Sequence, residues 1–457
     1  MAKPRTIYRC SACQADHSSW FGQCPSCKAW NSLEKTQVHK QAVSGRSPGR
    51  GGVSVPRARP LPISQVALGD GGEVRLSTGI GELDRVLGGG LVAGSLSLVG
   101  GDPGVGKSTL LLMALARLAG RGLPVLYVTG EESARQVRLR ADRLGIHGDS
   151  LYLLAETDLD LIQDAVQQVK PRFLVLDSVQ VMRDASVDSL PGGPSQVRCT
   201  ADRAMGIAKG LDIATVLVGH VTREGSIAGP KMLEHLVDTV IYFECDGRSP
   251  LRVLRAVKNR FGATGELGLF EMGDAGLLEV PDASARLLAE RDRDAAGTAV
   301  VVAMEGSRPL LCEVQALVGN PGPGTPARHA IGVERARVNL LLAVLEKAGL
   351  PLMERDVYVS AAGGVRLNEP AVDLAVLAAV ASSLHNRPVP PDLAIFGEVG
   401  LTGEVRSVTF PALRLAELSR NGFTRAIVPT ASAHDPPRGV KLHGVRTVRE
   451  VLELLSR

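Results

Sequence analysis

The nine residues Gly101-Asp102-Pro103-Gly104-Val105-Gly106-Lys107-Ser108-Thr109 constrain this chain more than any other stretch. They match G-x-x-x-x-G-K-[ST], follow the apolar run Leu96-Ser97-Leu98-Val99 and lead into Leu110-Leu111-Leu112-Met113. Strand, glycine-rich turn and helix in that order make a P-loop. The glycines let backbone N–H groups close around phosphates, and the positive end of the helix faces them. Lys107 is expected to reach the β- and γ-phosphates of ATP, and Ser108 to ligate Mg2+.

Beyond the loop the chain alternates in the way such a motif requires. Val125-Leu126-Tyr127-Val128, Phe173-Leu174-Val175-Leu176-Asp177, Ile213 to His220 and Thr239 to Glu244 are apolar runs separated by longer helical stretches. Strands without polar alternation are buried on both faces, which predicts an α/β fold with a mainly parallel sheet. Asp177, an acid ending such a strand, stands where a Walker B residue would hold Mg2+ through its water shell. His220 ends a neighbouring strand and belongs to the same nucleotide edge. Glu131 and Glu132 follow the Val125 strand. Ligands bind at the carboxyl edge of a parallel sheet, and an attacking water there needs a base. Glu131 is the expected base, Glu132 the alternative, and helix capping would be the bland role for both.

Ahead of this core lie Cys10-Ser11-Ala12-Cys13 and Cys24-Pro25-Ser26-Cys27, four of the chain's seven cysteines. Two CxxC knuckles supply four thiolates in a tetrahedral shell that suits Zn2+. With every position filled, Cys10, Cys13, Cys24 and Cys27 predict a structural metal in a small ribbon; a redox dithiol would need a thioredoxin-like context that is missing. From Lys35 to Gly69 there is no acid, while six Lys and Arg are spread among Gly, Ser, Pro and Val. That composition predicts a basic linker, either a tether or a phosphate-backbone contact.

The 457 residues allow two or three domains, and 44% hydrophobic with 22% charged residues is ordinary for a globular chain. The net charge of +4 names no polyanionic partner by itself. No leader and no membrane-spanning run is read at either end or between, so the expected location is the cytoplasm.

With the P-loop, Glu131, Asp177 and the His220 strand end in place, residues from about 76 to 279 resemble the RecA-like ATPase core. Lys258-Asn259-Arg260-Phe261-Gly262, Gly219-His220-Val221-Thr222-Arg223-Glu224-Gly225 and Ala228-Gly229-Pro230-Lys231 narrow the likeness. Over its whole length the chain resembles the bacterial DNA-repair family of RadA, also called Sms. That resemblance implies a DNA-dependent ATPase, related to hexameric ring helicases, that acts with a RecA-type recombinase on single-stranded and branched DNA and promotes branch migration. Arg223 and Lys231, in a long loop at the nucleotide edge, are candidate DNA contacts. Lys258 and Arg260, two cations at alternate positions, suit the γ-phosphate of a neighbouring subunit, as an arginine finger does.

After Arg291-Asp292-Arg293-Asp294, residues 363–374 and 396–405 resemble the proteolytic domain of Lon. A Lon-type peptidase needs a Ser nucleophile beside a Lys base. Asp373 falls near the Ser position, and no Lys lies between Lys347 and Lys441. The domain is therefore expected to be α+β and peptidase-inactive, with Arg308, Arg328, Arg335, Arg337 and Arg366 as candidate phosphate contacts. The expected order is a zinc ribbon over 1–35, the linker over 36–69, the ATPase over 70–285 and the Lon-like domain over 286–457. A translocating motor competes with an ATP-gated clamp or filament.

Overall fold

A computed structural model describes residues 5–10, 16–17, 20, 22–23, 25, 33–38, 75–220, 230–245, 251–321 and 325–456. The chain divides into two units, Met1–Gln65 and Val66–Arg457. In the first, β1 (Arg5–Cys10) pairs antiparallel with both β2 (Asp16–His17) and β3 (Leu33–Val38). The third strand carries regular structure past residue 35, so the expected linker begins within a strand. Cys13, Cys24, Cys27 and the Cys10 side chain lie outside the described residues, as does 39–69 of the linker.

The second unit opens with the short pair β4 (Arg75–Leu76) and β5 (Leu91–Val92) flanking α1 (Gly81–Leu87). Next come β6 (Leu96–Gly101), α2 (Lys107–Ala119), β7 (Val125–Thr129), α3 (Ala134–Arg143), β8 (Leu151–Ala155), α4 (Leu159–Val169) and β9 (Phe173–Asp177). After them come α5 (Pro194–Leu211), β10 (Ala214–His220), α6 (Pro230–Leu233), β11 (Thr239–Cys245), β12 (Leu251–Asn259), β13 (Leu267–Gly273) and β14 (Gly276–Glu279). Among the described residues these strands form one sheet in the order β14-β13-β12-β11-β6-β10-β9-β7-β8. Every pairing from β11 to β8 is parallel and the β12–β14 extension is antiparallel, as a mainly parallel sheet requires.

Alternation along the strands sends side chains into two cores. Val125, Tyr127, Phe173 and Val175 pack under α2, whereas Leu126, Val128, Leu174 and Leu176 pack with α4 and α5 on the other face. The stretch 183–198, leading from β9 into α5, is tightly held. Pro194 starts α5 at its first turn, and the buried Gln196 amide bonds to Asp184, Val187 and Ser189.

Beyond α7 (Ala283–Leu288) a second sheet contains β15 (Thr298–Glu305), β16 (Arg308–Gly319), β17 (Arg328–Ile331) and, after α8 (Arg335–Lys347), β18 (Asp356–Ala361). It continues through α9 (Asp373–His385), β19 (Leu393–Ile395), the small pair β20 (Glu398–Val399) and β21 (Val405–Arg406), α10 (Pro411–Arg420), β22 (Arg425–Pro429), β23 (Lys441–Val445) and α11 (Val448–Ser456). The strand order is β17-β18-β16-β15-β19-β22-β23, with parallel and antiparallel pairs mixed. Leu251 of β12 and Leu269 of β13 belong to the core of this second sheet.

Two of the expected phosphate contacts are instead internal. Arg308 pairs with Glu82 at 2.7 Å, and Arg337 makes a two-pronged pair with the buried Asp373. The Arg308 and Arg337 guanidinia, 10% and 29% exposed, are turned onto buried carboxylates rather than presented to a phosphate backbone. Arg328 donates to the Leu352 carbonyl at 3.1 Å. Fully buried Arg414 is gripped by Glu369 at 2.6 and 2.7 Å, which accounts for the acid in Asn368-Glu369-Pro370.

Candidate active site

The register brings five strands together at one edge. Gly101 of β6 lies opposite His220 of β10 and Phe243 of β11, while Asp177 of β9 lies opposite Thr129 of β7. Gly101 is required by proximity, since a Cβ there would stand 2.2 Å from the Phe243 carbonyl oxygen. Gly106 has a φ of +111° and caps the start of α2, a left-handed geometry that L side chains rarely adopt. The loop from Gly101 to Gly106 therefore ends with its amides at the N-terminus of α2, with Ser108 and Thr109 in the first turn.

Lys107 turns back over the loop. Its Nζ donates to the carbonyls of Gly101 at 2.7 Å and Asp102 at 2.9 Å and lies 3.3 Å from His220 Nδ1. Burial lowers the ammonium's pKa, and Asp177, Glu131 and Asp102 oppose that shift. An ammonium can only donate, so His220 Nδ1 accepts and its Nε2–H donates to Glu131 Oε1 at 3.1 Å. Ser178 donates to the same carboxylate oxygen. The hydrogen bond from His220, then that from Ser178, hold the Glu131 carboxyl below its ordinary range against the opposing effect of burial.

Glu132 faces elsewhere. Its carboxylate is paired with Arg140 of α3. The two adjacent acids, equivalent by spacing, thus point to different neighbours: Glu131 to the ring of Lys107, His220 and Ser178, and Glu132 to a helix arginine.

Asp177 accepts a hydrogen bond from the Tyr127 hydroxyl at 2.5 Å. The donor set fits a divalent cation beside a triphosphate. Ser108 keeps its oxygen lone pairs, and Asp177 has one carboxylate oxygen engaged and one open.

Four contributors escape a reading of the sequence. Tyr127 sits mid-strand and reads as core. Ser178 directly follows the Walker B acid, a spacing that could have exposed it. Gln180 donates to the His220 carbonyl at 3.2 Å. Arg252, at the start of β12, donates to the P-loop carbonyls of Val105 and, at 3.2 Å, Gly104; no local motif marks it.

Lys258 and Arg260 stand at the opposite end of β12. Lys258 Nζ donates to the carbonyls of Glu234 at 2.7 Å and Val237 at 2.8 Å, and Arg260 pairs with the buried Asp238 at 3.0 Å. Asp238 in turn accepts from the Leu96 amide at the start of β6. Asp238 lies five residues before Phe243, the partner of Gly101, so Arg260 is roughly 17 Å along the strand from the P-loop edge. Arg223 and the side chain of Lys231 lie outside the described residues.

A family model described as an AAA domain matches residues 68–226, and one described as a rubredoxin metal binding domain matches residues 8–35. The DNA repair protein RadA of Bacillus subtilis is 47% identical over 456 residues, covering 99% of both chains. The chain belongs to the RadA family. The RadA of Pseudomonas aeruginosa is 48% identical over 457 residues, covering 100% of both chains. A solved KaiC-like protein of Pyrococcus horikoshii aligns with 46% of this chain and all of its own at 22% identity, with a TM-score of 0.39. As a RadA-family member the chain is a P-loop ATPase with an N-terminal metal-binding ribbon. Among the described residues no helix is long and apolar enough to cross a membrane.

Proposed function

We propose that this chain is a DNA-dependent ATPase that assembles as a hexameric ring, the form the family resemblance implies, and uses hydrolysis to move branch points in recombination intermediates. The observation that carries the assembly is the position of Lys258 and Arg260, too far along the sheet to serve their own P-loop. A cation pair at that edge, with Arg260 half exposed, suits a neighbour's γ-phosphate.

In this reading the P-loop amides and Lys107 hold the phosphates, and Lys107 exchanges its carbonyl partners for phosphate oxygens. Ser108 and Asp177 would hold Mg2+, which when bound neutralises charge on the phosphates. Glu131 accepts the proton of the attacking water, oriented by Ser178 and by the Nε2–H of His220. Cys10, Cys13, Cys24 and Cys27 would hold Zn2+ in a structural site. DNA enters the reading through the relatives' name, DNA repair protein, and through the basic segments around Arg223 and Lys231. A RecA-type recombinase is the expected partner and the cytoplasm the expected location.

Strand-displacement and branch-migration assays on fluorescent three- and four-way junctions test the motor. ATP-dependent movement of the branch point is expected, and it should vanish in Lys107→Ala. DNA-stimulated hydrolysis with a stationary branch point would favour the clamp or filament instead.

A further inference from the structure

We propose that Tyr127 is a positioning residue for the divalent cation, fixing the Asp177 carboxylate through its phenolic hydroxyl. The inference rests on the assignment of Ser108 and Asp177 to the metal.

Ser108 lies in the first turn of α2, and Asp177 ends β9. They come from different elements, and Tyr127 of β7 lies between them. Its side chain is fully buried beneath α2, in the core layer that also takes Phe173 and Val175. The phenol donates to Asp177 Oδ2 at 2.5 Å. Because Oδ2 is committed to the phenol, Oδ1 is the carboxylate oxygen left for the metal's water shell. Second-layer donors of this kind fix ligand orientation and tune affinity. Phenylalanine would fill the same apolar space, yet it would leave the carboxylate without its donor.

The test compares Tyr127→Phe with the unaltered full-length protein, using Mn2+ as the probe. Electron paramagnetic resonance titration in the presence of a non-hydrolysable ATP analogue should show Mn2+ binding weakened about tenfold or more. Nucleotide affinity in EDTA should be unchanged, and turnover should recover as Mg2+ is raised. Mn2+ affinity within twofold of the unaltered protein would overturn the proposal. Asp177→Asn separates the two levels. If it weakens Mn2+ binding while Tyr127→Phe does not, only the role of Tyr127 fails; if neither does, the metal assignment itself fails. A second measurement keeps the phenol in place, should Tyr127→Phe not fold. With 3-fluorotyrosine at position 127, adding Mg2+ to the nucleotide complex should shift the fluorine resonance, and an unmoved resonance would count against the proposal.

Discussion

Glu82 and Arg308 stand 226 residues apart in sequence and meet in a salt bridge 2.7 Å long that ties the ATPase sheet to the second sheet. Their side chains are 3% and 10% exposed, and Glu82 also accepts the Leu269 amide. Removing one partner of such a pair strands the other charge, at a cost of about 3 to 5 kcal/mol. Arg308→Ala should therefore lower the denaturant midpoint of the second unit markedly. A midpoint shift equivalent to less than about 1 kcal/mol would mean that the pair holds little.

The two acids after β7 are expected to separate cleanly. Glu131→Gln should reduce turnover by about 10² to 10⁴ while leaving nucleotide affinity near normal, because a general base acts only in the chemical step. Glu132→Gln breaks the pair with Arg140 and should cost far less. Equal losses in both variants, read by steady-state ATPase assays, would contradict the assignment.

Glu131 also carries a pH signature. Its folded pKa is lowered from 4.5, chiefly by the hydrogen bond from His220. The basic form is thus present at all pH values above the folded pKa and is lost only as pH falls through it. The acid limb of single-turnover hydrolysis should lie below 4.5 in the unaltered protein and move upward in His220→Ala. A limb that stays put in that variant would remove His220 from its role.

Metal removal should be local in its effect. Among the described residues the ribbon has three short strands, and its short sequence carries too few apolar residues to fold without its ion. Chelation should release one Zn2+ per chain and abolish the ribbon's signals in NMR spectra, leaving basal ATPase intact. Collapse of hydrolysis on chelation would tie the ribbon to the nucleotide site.

The fold and the nucleotide edge were legible because their signals are local. The P-loop is contiguous, Asp177 closes its own apolar strand, and strands buried on both faces announce themselves by composition. The rest depends on residues brought together by packing. Period-two alternation could place Tyr127 on the α2 face, but its bond to Asp177 needs β7 and β9 side by side. Arg252 meets the P-loop only because β12 folds back beside β11. The reverse error has the same cause: Arg308 and Arg337 look like surface cations in the sequence, and their buried partners, Glu82 and Asp373, lie 226 and 36 residues away.

The measurement that bears most directly on the shared ATPase site mixes two inactive variants, Lys107→Ala and Arg260→Ala, and follows hydrolysis across mixing ratios. Each variant alone should be nearly inactive, since an arginine finger contributes on the order of 10³ to 10⁵ in rate. In mixed assemblies some interfaces pair an intact P-loop with an intact cation pair, and part of the activity should return, peaking at intermediate ratios. No recovery at any ratio, with mixed assembly verified by differently labelled subunits, would contradict a site completed by a neighbour and leave Arg260 as the structural partner of Asp238.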